Sequence, residues 1–223
     1  MAESETSKRS GGQILVDALA AHQVDRVFGV PGESYLAALD AFYNARNKIE
    51  FTICRQEGGA AYMAEAWAKL TGRVGICFVT RGPGATNASI GVHAAMQDST
   101  PMILFIGQVA RDQVDREAFQ EIDYRAMYGS VAKWVAQIED AARIPEYVNR
   151  AFHTASSGRP GPVVLALPED MLRDMVAVSD VPPAPPTLGY PGQPDMTALR
   201  DMLAAAERPL MIVGGAGWTS GTS

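Results

Sequence analysis

Five short apolar segments recur along the sequence, and each is continuously apolar instead of alternating with polar residues. Strands that are buried on both faces have this pattern, which is typical of a parallel sheet covered by helices. The strands are predicted at 26–30, 51–54, 74–79, 102–106 and 163–167, and the helices between them at 12–22, 34–46, 57–70, 84–97 and 140–157. The sequence therefore predicts an α/β fold with a doubly wound parallel sheet flanked by helices.

Apolar spacing also predicts which face of each helix contacts the sheet. In the helix 57–70, Met63, Trp67 and Leu70 fall on one face, and we expect that face to be buried. Glu65 and Lys69 are expected to form an outward pair one turn apart. In the helix 140–157, the predicted buried stripe consists of Ala141, Ile144, Val148, Ala151, Phe152 and Ala155.

Composition limits the classes of partner. The chain has 223 residues, of which 47% are hydrophobic and 20% charged, and its net charge is −6 without a basic block. This argues against nucleic acid or an anionic membrane as the main partner. The polar start "MAESETSKRSGGQ" shows no secretory signal. Cys54 and Cys77 lie in separate apolar segments, so we expect buried thiols, no metal site and a cytoplasmic location.

Proline marks a predicted domain boundary. Residues 181–194 contain six prolines in fourteen positions, which predicts an extended linker after a first domain at 1–180. Residues 195–223 then begin a helix, a strand and a glycine turn, the start of a second α/β domain. One helix and one strand cannot bury a core, so we expect the chain to be cut short within that second unit.

Three glycine-rich segments follow predicted strands, at the sheet edge where doubly wound folds bind ligands. They are "GVPGE" (29–33), "RQEGG" (55–59) and "TRGPGATN" (80–87). Glu57 stands out because only small residues follow it. An acid in the first turn of a helix is stabilised by the helix dipole by ~0.3–1 kcal/mol, which is a sufficient structural explanation. A carboxyl under apolar cover at a strand end can also exchange a proton with a ligand as a general acid or base.

Six motifs in register make the sequence similar to a known family. "VFGVPGE", "RQEGGAAYMAEAWAKLTGRVGIC", "TRGPGATN", "QDSTPMILFIGQV", "AFQEID" and "SGRPGPVVLALPEDM" occur in that order. Together they resemble the amino-terminal, pyrimidine-binding domain of thiamine diphosphate enzymes, in the branch of acetolactate synthase and its relatives. The resemblance implies that Glu57 hydrogen-bonds N1′ of the cofactor's aminopyrimidine ring and promotes loss of the thiazolium C2 proton.

The resemblance also assigns roles to other positions by motif. It implies that the backbone of Val30 and Gly32 surrounds the pyrimidine ring and that the loop with Pro83 and Asn87 packs on it. Thr80 is assigned to the cofactor site by a less specific motif match. Gln120 is implied to make a polar contact toward the bound intermediate, and Phe119 to border the substrate. Gln120 and Phe119 are therefore the substrate-side candidates.

Partners and cofactors follow from the same resemblance. A separate domain of the family, marked by Gly-Asp-Gly, holds the diphosphate through Mg²⁺, and this segment is absent here. The partner is then a second copy of the chain or a diphosphate-binding domain, and the substrate is a small 2-oxo acid. Gly215 and Gly217 lie in a segment that resembles a dinucleotide-binding turn, so FAD is kept as a second candidate cofactor. We expect the 223 residues alone to bind thiamine diphosphate weakly and to be inactive.

Two positions depart from the family pattern. Acetolactate synthases usually have serine where this chain has Arg81, and lysine where it has Glu169. We interpret Arg81 as either a surface charge or a substrate clamp. Two other functions stay open, namely a split pyrimidine-binding subunit of a two-chain decarboxylase and a non-catalytic nucleotide- or partner-binding module. The histidines His22, His93 and His153 are expected to have no chemical role.

Overall fold

A computed structural model describes residues 7–215, and a six-stranded parallel sheet is its central feature. In chain order the elements are β1 (Arg9–Ser10), α1 (Gly11–Ala21), β2 (Arg26–Gly29), α2 (Leu36–Asn44), β3 (Glu50–Ile53), α3 (Glu57–Thr71), β4 (Gly75–Val79), α4 (Gly82–Gln97), β5 (Met102–Gln108), α5 (Tyr124–Tyr128), β6 (Trp134–Gln137), α6 (Ile144–Ser156), β7 (Pro162–Pro168), β8 (Met175–Val176) and α7 (Gln193–Ala205). The strand order in the sheet is β3-β2-β4-β5-β7-β6. The predicted doubly wound α/β fold is confirmed.

Helices cover both faces of the sheet and enclose two separate cores. One core contains buried residues of α1, α2 and α6, and the other contains buried residues of α3, α4 and α5. Consecutive residues of β4 illustrate the division, because Ile76 and Phe78 belong to the first core and Cys77 and Val79 to the second. Full burial on both faces explains why β4, β5 and β7 are continuously apolar in sequence.

Strand β6 and the short pair of β1 and β8 are absent from the sequence prediction. β6 pairs with β7 alone at the edge of the sheet, and only Ala136 of its four residues is fully buried. An edge strand that is partly exposed has no continuous apolar run, so the pattern used for the other strands could not detect it. β1 and β8 are antiparallel and only two residues long.

Helix α6 has the predicted buried face. Ile144, Val148, Ala151 and Ala155 are fully buried, while Phe152 is partly buried against the first core. The helix begins later than predicted, because residues 141–143 form a 3₁₀ turn capped by the Asp140 side chain.

The predicted buried face of α3 is wrong. Met63 and Leu70 are exposed, Trp67 is partly buried, and the face against the core consists of Gly58, Ala60, Ala61, Ala64, Glu65 and Ala68. Glu65 does pair with Lys69 at 2.7 Å, but it is buried and accepts a hydrogen bond from Thr100. The packed face of α3 consists mainly of small residues because α4 lies close against it.

The carboxyl-terminal part of the described chain is largely exposed. Residues 177–192 form no helix or strand. The backbone N–H groups of Ala184 and Thr187 donate to the side chains of Asn149 on α6 and Ser157 directly after it. No residue of α7 is buried. The predicted strand after α7 is not formed, because residues 206–214 are exposed and pair with no other strand. Gly215 has a φ of 87°, whereas Gly217 lies outside the described residues.

Residues 7–215 contain neither a membrane-spanning helix nor a cluster of metal ligands. None of the helices there is long and apolar enough to cross a membrane. Within the same range, no group of three histidine, cysteine, aspartate or glutamate residues could hold a metal ion. Cys54 and Cys77 are buried free thiols, as predicted.

Candidate active site

The sheet topology places the three glycine-rich segments side by side. β2 lies between β3 and β4, and Gly29 at its end pairs with both Ile53 and Phe78. Backbone hydrogen bonds continue beyond the strands, from Cys54 N to Gly29 O at 2.8 Å and from Val30 N to Phe78 O at 3.3 Å. The segments that start at Val30, Cys54 and Thr80 therefore meet at one edge of the sheet.

Glu57 is the first residue of α3 and lies at this edge. The cap of α3 is Gln56, whose side-chain oxygen accepts from Gly59 N at 2.7 Å. Glu57 is partly buried, and its Oε2 accepts a hydrogen bond from Asn87 Nδ2 at 2.9 Å. Among residues 7–215, no hydrogen bond reaches its Oε1. The carboxyl group thus has one oxygen held by the protein and one available to a ligand.

Glycine and alanine allow α4 to approach α3 closely enough for this contact. A Cβ added to Gly91 would lie 2.5 Å from the Ala61 Cβ, and one added to Gly58 would lie 3.1 Å from Asn87 O. A Cβ on Gly84 would lie 3.5 Å from Glu57 Oε1. Larger side chains at these positions would separate the helices that carry Glu57 and Asn87.

The segment after β2 is held in place by buried hydroxyl groups. Tyr35 donates to Val30 O at 2.5 Å, and the Ser34 and Thr80 hydroxyl oxygens lie 2.7 Å apart. Burial raises the pKa of Tyr35, so the phenol stays neutral and can donate. Gly32 has room only for hydrogen, since an added Cβ would lie 2.5 Å from the Thr80 Cβ.

Gln120 is brought to the same edge by its backbone. Gly82 N donates to Gln120 O at 2.9 Å, so the segment 114–121 is tied to the start of α4. Gln120 has a φ of 67°, and Asp115 and Glu117 also have positive φ values, of 60° and 52°. Such conformations are uncommon for non-glycine residues and often occur in functional loops. Phe119, the neighbouring candidate, is 73% exposed.

The remaining ring-packing candidate, Pro83, is exposed in the first turn of α4. Its position fits the preference of proline for the start of a helix. The structure therefore places Val30, Gly32, Glu57, Thr80, Pro83, Asn87 and Gln120 around one edge of the sheet, with Phe119 on the adjoining segment.

Arg81 is not a surface charge. The residue is only 8% exposed, and its terminal nitrogens contact Glu33 Oε1 at 3.1 Å and Glu169 Oε2 at 2.5 Å. Its Nε is buried without a hydrogen-bond partner among the described residues. The two departures from the family pattern therefore form an ion pair with each other.

Gln108 ends β5 at the same edge and was not predicted from the sequence. Its buried side chain donates to Ile122 O at 3.3 Å and accepts from Val109 N at 2.9 Å and from the Tyr124 hydroxyl at 3.5 Å. Gln108 thereby holds the segment that leads from Gln120 to α5. A polar residue directly after a buried strand, as in "FIGQV", was the available signal.

A cavity lies near the site but does not include Glu57. It has a volume of about 560 Å³ and lies between residues 114–125 and the ends of β5, β6 and β7, with Gln108 and Tyr124 in its lining. Its rim carries several carboxylates, which are Asp115, Glu117, Glu121, Asp123 and Glu139. Glu57 and Asn87 instead lie on an open surface, where an opposing surface could enclose a ligand.

Comparison with known proteins identifies the family. The profile of the thiamine pyrophosphate enzyme family, N-terminal TPP binding domain, matches residues 9–127. The chain belongs to this family. The match includes every site candidate on the edge described above, because all of them lie between Val30 and Gln120.

Acetolactate synthases are among the similar proteins. The chain is 37% identical to the acetolactate synthase large subunit of Parasynechococcus marenigrum over 214 residues, 92% of this chain and 35% of that protein. It is 37% identical to the isozyme 3 large subunit of Escherichia coli over 220 residues, 95% of this chain and 38% of that protein. It is 40% identical to the mitochondrial acetolactate synthase of Schizosaccharomyces pombe over 163 residues, 73% of this chain and 24% of that protein. The chain thus spans well under half the length of these relatives.

Proposed function

We propose that this chain is the amino-terminal part of a thiamine diphosphate-dependent 2-oxo acid carboligase or decarboxylase, similar to acetolactate synthase. The observation that carries the proposal is the carboxyl group of Glu57, held by Asn87 through one oxygen and available through the other. Family membership supports thiamine diphosphate as the cofactor. In this proposal Glu57 contacts the pyrimidine half of the cofactor.

The surroundings of Glu57 fit a flat heterocycle. The residues next to it, Gly58 and Gly59, lack side chains, and Gly84 leaves open space near Oε1. Pro83 is exposed on the adjoining turn and offers a ring to pack on the heterocycle. The Val30 carbonyl is fixed by Tyr35, so the backbone of the segment 30–32 can serve as a rigid hydrogen-bonding edge.

The chemistry assigned to this chain is proton exchange at Oε1 of Glu57. A carboxyl group within hydrogen-bond reach of a ring nitrogen can hold or transfer a proton as a general acid or base. Asn87 orients the carboxyl by donating to Oε2, which leaves Oε1 directed to the ligand side. Thiamine diphosphate supplies the electron-accepting ring on which 2-oxo acids lose carbon dioxide. Gln120, and Phe119 beside it, would border the substrate.

We further propose which partner encloses the cofactor at Glu57. Another domain, in a second copy of the chain or in a diphosphate-binding partner, would cover the open surface at Glu57 and hold the diphosphate through Mg²⁺. Residues 1–180 would form the pyrimidine-binding domain, 181–194 a linker and 195–223 part of a second domain, with FAD as a possible ligand of that domain. The free thiols Cys54 and Cys77 support a cytoplasmic location.

Replacement of the carboxyl group tests the proposal. In the complete enzyme, Glu57→Gln should slow deuterium exchange at C2 of thiamine diphosphate by about 10²–10⁴-fold, the usual contribution of a general acid or base. Glu50→Gln, which changes an exposed carboxylate on β3, serves as the control and should leave exchange unchanged. Unchanged exchange in Glu57→Gln would remove Glu57 from the mechanism and favour a non-catalytic binding module.

A titration tests the need for a second domain. Calorimetry of the 223-residue chain with thiamine diphosphate and Mg²⁺ should show no tight binding, because the open surface at Glu57 encloses only part of the cofactor. Micromolar binding would contradict this expectation. A panel of 2-oxo acids, assayed for carbon dioxide release by the complete enzyme, would then identify the substrate.

A further inference from the structure

We propose that Arg81 is a positioning residue, which holds the first turn of α4 through Glu33 and Glu169 and thereby keeps Asn87 in contact with Glu57. The proposal deepens the proposed function and rests on it for the catalytic consequence. The geometric part, that Arg81 maintains the contact between Asn87 and Glu57, can be tested without any activity.

The ion pairs of Arg81 join three strand ends. Arg81 follows β4, Glu33 follows β2, and Glu169 comes directly after β7. β2 and β7 are not neighbours in the sheet, since β4 and β5 lie between them. A side chain that reaches both Glu33 and Glu169 therefore fixes the loop before α4 from two sides.

The backbone of Arg81 is part of the start of α4. Its carbonyl accepts from Ala85 N at 2.9 Å, and the next residue, Gly82, donates to Gln120 O. Thr86 adds a side-chain hydrogen bond to Gly82 O at 2.8 Å. Asn87 follows immediately, so a shift of the turn at Arg81 moves the amide that holds Glu57.

Arginine suits this position because its terminal nitrogens diverge. One contacts Glu33 and the other contacts Glu169, whereas a lysine ammonium presents a single point charge. Arg81 is only 8% exposed, so its guanidinium needs such partners. Removal of one partner of a buried ion pair leaves an uncompensated charge.

The same contacts argue against a substrate clamp. Both terminal nitrogens already face carboxylates, and Nε is buried with no accessible surface for a ligand. Arg81, Glu33 and Glu169 together carry one net negative charge, which would repel the carboxylate of a 2-oxo acid. Arg81 therefore acts through the loop and does not contact the substrate.

A spectroscopic measurement tests the geometric part. In the 223-residue chain, the side-chain amide protons of Asn87 should move toward free-amide chemical shifts in Arg81→Ser, as they should in the reference variant Glu57→Ala, which removes the acceptor. The control Arg173→Ser replaces an exposed arginine for which the described residues show no ion pair, and it should leave these protons unchanged. Unchanged Asn87 shifts in a folded Arg81→Ser variant would overturn the proposal.

Kinetics of the complete enzyme test the catalytic consequence. Arg81→Ser should lower kcat per folded molecule by about 10- to 100-fold, because small misplacements of a catalytic group have effects of this size. KM for the 2-oxo acid should change less than about threefold, since Arg81 does not bind substrate. The reversed pair, Arg81→Glu with Glu169→Arg, should recover about tenfold in kcat relative to Arg81→Glu alone.

The outcomes separate the explanations. An increase in KM with kcat unchanged would make Arg81 a substrate clamp, and loss of stability with kcat and the Asn87 shifts unchanged would make it merely structural. Either result overturns the proposal. If the wild-type enzyme showed no exchange at C2, the proposed function would fail, and the Asn87 shifts would still decide whether Arg81 holds the contact.

Discussion

Helices α3 and α6 lie on opposite faces of the sheet and differ in what they bury. α6 buries large apolar residues such as Ile144 and Val148 and exposes polar ones. α3 buries alanine and glycine against α4, while Met63 and Leu70 remain 42% and 85% exposed. Apolar periodicity identified the buried face of α6 correctly and that of α3 incorrectly.

The difference follows from what each helix packs against. α6 closes the first core, where large side chains contribute most to stability. α3 has to lie close to α4 so that Asn87 reaches Glu57, and only small side chains permit that distance. In α3, therefore, small residue size predicts the buried face better than hydrophobicity does.

The largest effect on stability is expected in α6. Ile144→Ala should reduce the free energy of unfolding by about 2–5 kcal/mol, because it removes a fully buried side chain and leaves a cavity. Urea unfolding of the 223-residue chain measures the change. A loss below about 1 kcal/mol would mean that the first core does not depend on α6 and would break the comparison.

Enlarging the contact between α3 and α4 should have the next largest effect. Gly91→Val would place a Cβ only 2.5 Å from the Ala61 Cβ, and overpacking of this kind costs about 1–3 kcal/mol. The Asn87 amide protons should shift as well, because the helices separate. The control Ile90→Val changes an exposed neighbour on α4 and should have no comparable effect on unfolding.

A smaller, pH-dependent effect is expected where α1 meets α6. Burial lowers the pKa of His22, whose ring stacks on Phe152 at a centroid distance of 4.0 Å. The unfolded chain, with an ordinary pKa of about 6.5, then binds the proton more readily. The contribution of His22 is fully present above that value and is lost as the pH falls from it through the lower pKa of the folded state.

Unfolding at pH 7.5 and pH 5 measures this contribution. His22→Phe should reduce the loss of stability on acidification by less than about 1 kcal/mol, because His22 is only partly buried. His93→Gln, at an exposed position on α4, should leave the pH dependence as in the wild type. If the pH dependence of stability changed equally in both variants, the burial of His22 against α6 would not be its cause.

The smallest effect is expected on the outer face of α3. Met63→Ala in the 223-residue chain should change the free energy of unfolding by no more than about 0.5 kcal/mol, as is usual for exposed positions. The comparison with Ile144→Ala uses apolar residues of similar size in both helices. A loss as large as that of Ile144→Ala would show that Met63 is buried after all.

The sequence by itself determined the architecture and the family. Continuous apolar runs predicted five of the six sheet strands, and the glycine-rich segments after them predicted the edge where Glu57 and Asn87 lie. These features are local, since burial on both faces of a strand and the need for glycine in a tight turn act on a few neighbouring residues. Gln120 was assigned to the site by the family resemblance.

Only the tertiary structure decided the contacts between distant segments. The burial of Arg81 against Glu169 joins residues 88 positions apart, and the small-residue face of α3 depends on how closely α4 approaches. The edge strand β6 was likewise set by its neighbour β7. Apolar periodicity predicts which face of a single element is buried. Ion pairs and close helix contacts depend instead on which elements the fold brings together.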